Sequence, residues 1–150
     1  MIEKQPSTSD SDKAHEFYES FKKSYNNNVS TVINDEQKQE KEGIKENINQ
    51  IKLIDIENRG LQRKLTYNYC IIGRNLKYLK ENMRMTDDQL DSHFKDCIGF
   101  SKSMRNFYIR YYKLALVYNK LMYVEISFRE IIKYFKYLEE LIEQDKDFWM

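Results

Sequence analysis

The chain has 150 residues, a net charge of +1, 41% apolar residues and 33% charged residues, which is typical of a globular domain and excludes a wholly disordered chain. Its single proline and four glycines are too few for a many-turned β fold and favour long helices. No apolar run has the length of a membrane span and the first residues lack the apolar core of a signal peptide, so we expect neither.

The N-terminal segment differs in pattern from the rest of the chain. We predict a flexible or docking N-terminal arm over residues 1–35 and a helical domain over residues 36–150. Within the arm, Phe17, Phe21 and Tyr25 share one stripe of a short helix. The arm is too small to bury these rings by itself, so they pack either against a partner or on the main domain.

Two long helices are predicted next, over residues 36–58 and 61–83. Apolar residues recur in both at spacings of three and four, which places them on one face of each helix. Gly43 is expected to delay the start of the first helix, and Gly60 separates the two. The stripe residues are Ile44, Ile48, Ile51 and Ile54 in the first helix, and Leu65, Ile72, Leu76 and Leu79 in the second.

A capping box predicts the start of a shorter helix over residues 87–98. The Thr86 hydroxyl can accept from a backbone amide of the first turn, and the Gln89 side chain can reach back to the amide of Thr86. Leu90 and Phe94 lie four residues apart and are expected to face inward. The acidic residues of the first turn suit the positive end of the helix dipole and predict no catalytic role.

A glycine-containing turn and another helix come next. Gly99 suits the left-handed conformation that ends a helix, and Ser101 suits the N-cap of the following one. That helix is predicted over residues 102–118, with Tyr108 and Tyr111 on its inner stripe. A short helix, a turn and a longer helix in this order predict a helix-turn-helix unit within an all-α fold.

The remaining residues predict an extended connector and one last helix. Ser127 and Glu130 have the spacing of a second capping box. Trp149 either anchors the end of the chain or contacts a partner. The last helix carries a regular apolar stripe made of Phe128, Ile131, Ile132, Phe135, Leu138 and Ile142.

Motifs for catalysis, metals and cofactors are not found in the sequence. The four glycines form no phosphate-binding loop, and His15 and His93 lack the spacing of metal ligands. Cys70 and Cys97 are far apart and are expected to be reduced, small core residues. We therefore expect a protein that is not an enzyme and holds no cofactor or metal of its own.

Positive charge is concentrated in the middle of the chain. Residues 59–136 hold 16 Lys or Arg and 7 Asp or Glu, a net charge of +9, whereas the segments on either side are acidic. Such a block is either a nucleic-acid footprint or a solvated basic surface. Arginine and lysine bind phosphates, and asparagine can pair with adenine. The candidate DNA-binding residues on the predicted helix over residues 102–118 are Lys102, Arg105, Asn106, Arg110 and Lys113.

The region from Ile72 to Ile131 resembles two groups of proteins. One group is the small homeobox-like accessory subunits of the ciliate DNA adenine methyltransferase complex. The other is a bacterial and phage group of helix-turn-helix proteins. Asn, Lys, Ile and Tyr are abundant, as is typical of proteins from AT-rich genomes, and the N-terminal segment is acidic and polar. Both features are more similar to the ciliate group. The residues that carry the resemblance are Ile72, Gly73, Leu76, Lys80, Phe94, Gly99, Phe100, Ser101 and Tyr108.

The resemblance to the ciliate group implies a homeobox-like, non-catalytic subunit in the nucleus. Its partners would be duplex DNA and catalytic methyltransferase subunits, which bind S-adenosylmethionine and carry an Asp-Pro-Pro-Trp motif that this chain lacks. A homeodomain recognition helix usually carries Trp-Phe-x-Asn, and "MRNFYIRYYK" stands here instead. Protein docking is therefore at least as well supported as base recognition.

Two alternatives to the accessory subunit stay open at this stage. An autonomous helix-turn-helix regulator of phage or bacterial type would bind a defined site without partners. A purely structural helical scaffold would carry the basic block only as a solvated surface. Duplex binding by the isolated chain across salt concentrations separates the three, because phosphate contacts give a steep salt dependence.

Overall fold

The computed structural model describes residues 6–25, 40–60 and 66–150 of the chain, and these residues form an all-α fold as predicted. Apart from a single bridge between Tyr25 and Val124, the described residues contain no β pairing. The helices are α1 (Pro6–Lys23), α2 (Ile44–Gly60), α3 (Thr66–Glu81), α4 (Asp87–His93), α5 (Lys102–Val117), α6 (Phe128–Lys133), α7 (Phe135–Gln144) and α8 (Lys146–Trp149), with a 3-10 helix at Asn119–Tyr123 between α5 and α6.

The packing of α3 against α5 forms the centre of the domain. Gly73 allows the two helices to approach closely, because a Cβ there would lie 2.2 Å from the carbonyl oxygen of Tyr108 and 2.8 Å from the Cβ of Tyr112. On either side of this contact Ile72, Leu76 and Tyr111 are fully buried. Glycine at position 73 is thus required by the distance between two helices, not by a turn.

Helix α2 covers one side of α3 with a mixed apolar and polar face. Ile48, Ile51 and Ile54 are buried as predicted. Beside them Asn75 of α3 donates from its side-chain nitrogen to the amide oxygen of Gln50 at 2.6 Å. This hydrogen bond satisfies one buried donor and one buried acceptor between α2 and α3, whereas the side-chain oxygen of Asn75 is buried there without a hydrogen-bond partner among the described residues.

The predicted limits of the first two long helices are corrected where the structure describes them. Helix α2 begins at Ile44, directly after Gly43, whose φ of 90° is left-handed. Helix α3 ends at Glu81. The predicted helical residues 36–39 and 61–65 lie outside the described residues.

The predicted caps around α4 and α5 are confirmed. The Thr86 hydroxyl accepts from the amide of Gln89, whose side chain accepts from the amide of Thr86. The Ser101 hydroxyl accepts from the amide of Met104 at the start of α5. Gly99 has the predicted left-handed conformation, with a φ of 77°. It does not end α4 as predicted, because the helix ends at His93 with Phe94 as its C-cap and irregular turns follow, so the prediction that α4 continues to Ile98 is wrong.

The C-terminal part is less continuous than predicted. Its apolar stripe is buried as expected except for Ile132, which is only partly buried, but three short helices replace a single one, with breaks at Tyr134 and Asp145. The predicted capping box at Ser127 is wrong, since its side chain makes no capping hydrogen bond. The expected extended connector is mostly the 3-10 helix, and its end pairs with the residues after α1, through the bridge between Val124 and Tyr25 and the hydrogen bond from the Glu125 amide to the Ser24 carbonyl.

The described part of the predicted N-terminal arm belongs to the common core. Phe17 and Phe21 of α1 are buried, and the rings of Phe17 and Tyr134 stack at 4.7 Å between centroids. Trp149 at the other end of the chain is fully buried and lies 5.4 Å from the Phe21 ring. Of the alternatives for these rings, packing on the main domain is the one observed. Residues 26–35 lie outside the described residues.

Candidate nucleic-acid interface

Helix α5 has one side in the core and another side open to solvent. Tyr108 and Tyr111 are buried, and the Tyr108 ring stacks on Phe128 at a centroid distance of 4.2 Å. These tyrosines therefore serve packing and cannot stack on nucleic-acid bases in this fold. The open side, here called the outer face, carries four of the five predicted DNA-binding residues: Lys102, Asn106, Arg110 and Lys113.

Arg105, the fifth predicted residue, is not on the outer face. Its side chain is only 1% exposed, and its guanidinium donates to the Asp91 carboxylate at 2.7 Å and to the carbonyl oxygen of Phe100 at 3.2 Å. It also lies 3.7 Å from the Asp87 carboxylate. Because the guanidinium is buried and bonded to these partners, it holds α4 against α5 and cannot reach a phosphate. Its inclusion among exposed DNA contacts is therefore corrected.

Lys102 is well exposed at the start of the outer face. Its ammonium lies 3.5 Å from the Asp87 carboxylate, and Lys80 of α3 approaches the same carboxylate at 3.4 Å. Partial burial raises the pKa of the Asp87 carboxyl, but the positive charges of Lys80 and Lys102 outweigh that effect and leave the pKa below its usual value. Lys102 thus has a carboxylate partner before any ligand arrives.

A groove of about 570 Å³ runs along the middle of the outer face. Asn106 lies on its wall and accepts from the Lys80 ammonium at 3.4 Å. Lys113 lies 3.5 Å from the Glu81 carboxylate. A hydrogen bond from Lys77, assisted by Lys113, holds the pKa of Glu81 below its usual value despite some loss of solvation. The groove therefore contains both signs of charge.

Arg110 connects the outer face to α7. Its guanidinium forms an ion pair with Glu139 at 2.5 Å and lies 4.6 Å from the centroid of the Phe135 ring. The side chain is 49% exposed, so one side of the guanidinium remains open to solvent. A phosphate that contacts Arg110 must therefore either share the guanidinium with the Glu139 carboxylate or replace that carboxylate.

Lys80 was not among the predicted DNA-binding residues, although the structure brings it to the outer face. Lys80 belongs to α3, but its ammonium lies within hydrogen-bond distance of Asn106 in α5 and within ion-pair distance of Asp87 in α4. The basic residues Arg74, Lys77 and Lys80, three residues apart along α3, were visible in the sequence. The position of Lys80 beside α5 depends on the helix crossing at Gly73, which periodicity does not specify.

The outer face presents lysine, arginine and asparagine side chains, the groups that contact phosphates and bases in nucleic-acid complexes. Within the described part of the chain no group of three or more His, Cys, Asp and Glu side chains is placed to hold a metal ion. None of the helices in the described ranges is long and apolar enough to cross a bilayer. Comparisons of the chain with protein-family models, curated proteins and solved structures find no match.

Proposed function

We propose that this chain is a non-catalytic accessory subunit of a nuclear DNA adenine methyltransferase complex and contacts duplex DNA through the outer face of α5. In this proposal α4 and α5 act as a helix-turn-helix unit. A separate subunit binds S-adenosylmethionine and transfers the methyl group. The supporting observation is that Lys102, Asn106, Arg110 and Lys113 share one open face whose opposite side is in the core.

The ion pairs of the outer face favour an accessory role over an autonomous regulator. Lys102, Arg110 and Lys113 each have a carboxylate within 3.5 Å. A phosphate must compete with these carboxylates, so each contact contributes less than it would from an unpaired cation. We therefore expect weak duplex binding by the isolated chain and stronger binding when partner subunits hold the DNA nearby.

The test is duplex binding across salt concentrations, with the isolated chain and with the chain assembled with the catalytic subunits. The test variant carries Lys102→Glu, Arg110→Glu and Lys113→Glu. The matched control reverses three exposed lysines elsewhere, at Lys13, Lys23 and Lys45. The test variant should reduce the salt dependence by roughly 0.9 in the logarithmic slope for each phosphate that the protein no longer neutralises, and the control variant should not.

Three results would contradict parts of the proposal. Tight, sequence-selective binding by the isolated chain would favour an autonomous regulator. Failure to assemble with methyltransferase subunits would reject the accessory role. An unchanged DNA affinity of the complex carrying the test variant would show that the outer face does not bind DNA.

A further inference from the structure

A second groove, here called the corner groove, lies on another side of α5. It has a volume of about 460 Å³, within the range of roughly 300–1,000 Å³ typical of binding pockets. It is formed by the turn between α4 and α5, the start of α5, and residues of α2 and α6. Its wall is mainly apolar, with one acidic and one basic residue. The lining residues that matter here are Ile98, Phe100, Met104, Ile132, Asp55 and Arg129.

The turn before α5 leaves apolar surface exposed at this groove. Ile98 is 85% exposed, the highest exposure of any large apolar residue in the described ranges. The left-handed Gly99 follows it, and Phe100 then turns back into the core. Met104 and Ile132 are only partly covered. A continuous apolar surface at the rim and wall of a groove is typical of a protein docking site.

The cations beside the corner groove differ from those of the outer face. Arg129 lines the groove and lies three residues before Ile132 within α6, so the two are neighbours on the surface of that helix. Lys133 is the last residue of α6, and Lys136 lies on α7, beyond the break at Tyr134. None of the three forms an ion pair with any residue that the structure describes.

We propose that the corner groove binds an amphipathic helix of a partner protein, with apolar residues against Ile98, Met104 and Ile132 and a carboxylate towards Arg129. The apolar wall fits the hydrophobic face of such a helix, and the uncompensated charge of Arg129 favours an acidic residue at its edge. An apolar groove beside an unpaired cation fits the helix-in-groove mode, in which an amphipathic helix lays its apolar face into the groove. Only the identification of the partner as a methyltransferase subunit rests on the proposed function.

The first test uses the full chain and two synthetic peptides of about 18 residues, long enough to form helices. Both carry leucine at the same helical positions, and their flanks carry glutamate in one and lysine in the other. We expect the glutamate peptide to bind at least about tenfold more tightly and to shift NMR signals of Ile98, Met104 and Ile132. Equal affinity for both peptides, or shifts confined to other surfaces, would overturn the proposal.

Two variants locate the binding energy. Ile98→Asp should weaken the glutamate peptide at least about tenfold, whereas Leu116→Asp, at an exposed apolar residue near the other end of α5, should leave it unchanged. The charge reversal Arg129→Glu should transfer the preference to the lysine peptide. Retention of the glutamate preference would overturn the proposal. Because all three positions are exposed, the variants should keep the wild-type circular dichroism spectrum.

The second test separates the corner groove from the proposed function. Ile98→Asp should reduce assembly with methyltransferase catalytic subunits while leaving duplex binding of the isolated chain unchanged. If those subunits assemble equally well with Ile98→Asp, the corner groove is not their docking site, and the identification of the partner is overturned while the proposed function stands. If Ile98→Asp lowers duplex binding as strongly as the outer-face variant, the corner groove contacts DNA and the proposal fails. If the peptides behave as expected but no methyltransferase subunit binds, the groove stands and the proposed function fails.

Discussion

Two corners of this domain are held together by different physical means. In the terminal corner, α1 meets α8: the Trp149 indole nitrogen donates to the Tyr18 hydroxyl at 2.9 Å, and that hydroxyl donates to Asp145 at 2.7 Å. In the turn corner, α4 meets α5 through the buried Arg105 guanidinium and the Asp91 carboxylate. The first contact joins residues 131 positions apart, the second residues 14 positions apart.

The difference determines which corner is closed and which is open. Aromatic rings fill the terminal corner, where Trp149 and Phe21 have no exposed surface. At the turn corner an ion pair fixes the angle of the helices but covers little apolar surface, and Ile98 stays exposed beside it. Hydrophobic burial thus stabilises one corner, whereas directional polar contacts shape the other and leave a surface for a partner.

The largest expected effect is at the terminal corner. Trp149→Ala removes a fully buried ring and leaves the Tyr18 hydroxyl without its indole donor, so we expect a loss of about 3–5 kcal/mol in the free energy of unfolding. Urea unfolding followed by far-ultraviolet circular dichroism measures it. Met150→Ala, at the exposed next residue, is the control and should change stability by less than about 0.5 kcal/mol. A loss below about 1 kcal/mol for Trp149→Ala would show that the two chain ends are not closed on each other in solution.

The second effect compares a buried and an exposed arginine at similar ion-pair distances. Arg105→Ala removes a buried guanidinium, and we expect a loss of about 2 kcal/mol because the Phe100 carbonyl loses its donor and the packing of the side chain is lost, while Asp91, which is 57% exposed, stays solvated. Arg110→Ala breaks an exposed pair with Glu139 and should cost less than about 1 kcal/mol. Equal costs in urea unfolding would contradict the structural role of Arg105. DNA binding should respond to Arg110→Ala and not to Arg105→Ala in the fraction that stays folded.

Local features were predicted well from the sequence because their partners are close in the chain. The capping box of Thr86 with Gln89, the left-handed Gly99 and the cap at Ser101 each involve contacts over three residues or fewer. The Ser127 prediction failed although it used the same pattern, because the chain enters α6 without placing its hydroxyl on an amide. Ser127 has the same extended backbone as Thr86 and Ser101, so spacing and cap backbone specify which atoms can meet but not whether the hydroxyl turns to the amide.

Features that depend on tertiary packing could not be predicted in the same way. Arg105 was assigned to the DNA contact because charged side chains are normally exposed, and its partners Asp87 and Asp91 lie on another helix. Lys80 reaches the outer face only because α3 and α5 approach closely at Gly73. The candidate site thus follows from sequence on α5 itself, while the contributions of α3, α4 and α7 follow only from the fold.

A smaller effect is expected from the cap that begins the turn corner. Thr86→Ala removes the acceptor for the amide of Gln89, and we expect a loss of about 1 kcal/mol. Ser127→Ala is the matched control, since Ser127 makes no capping hydrogen bond and should change stability little. Urea unfolding measures the global change, and amide hydrogen exchange within α4 should show whether opening is local. Similar losses for both variants would remove the distinction between a satisfied and an unsatisfied cap.

The smallest expected effect concerns acid, and it tests both corners with one titration. A hydrogen bond from Lys22, supported by Tyr18, holds the pKa of Asp145 below its usual 3.8, and Lys80 with Lys102 does the same for Asp87 against the effect of burial. A carboxyl whose pKa is lower in the folded state adds stability that is present above the unfolded pKa and is lost as the pH falls through the folded pKa. The free energy of unfolding should therefore decline below about pH 4. Both Asp145→Asn and Asp87→Asn should reduce the slope of that decline against pH, by an amount that corresponds to a fraction of a bound proton. Because both carboxylates are partly exposed, the change should shrink in high salt. An acid decline that neither substitution alters would place its origin outside the two corners.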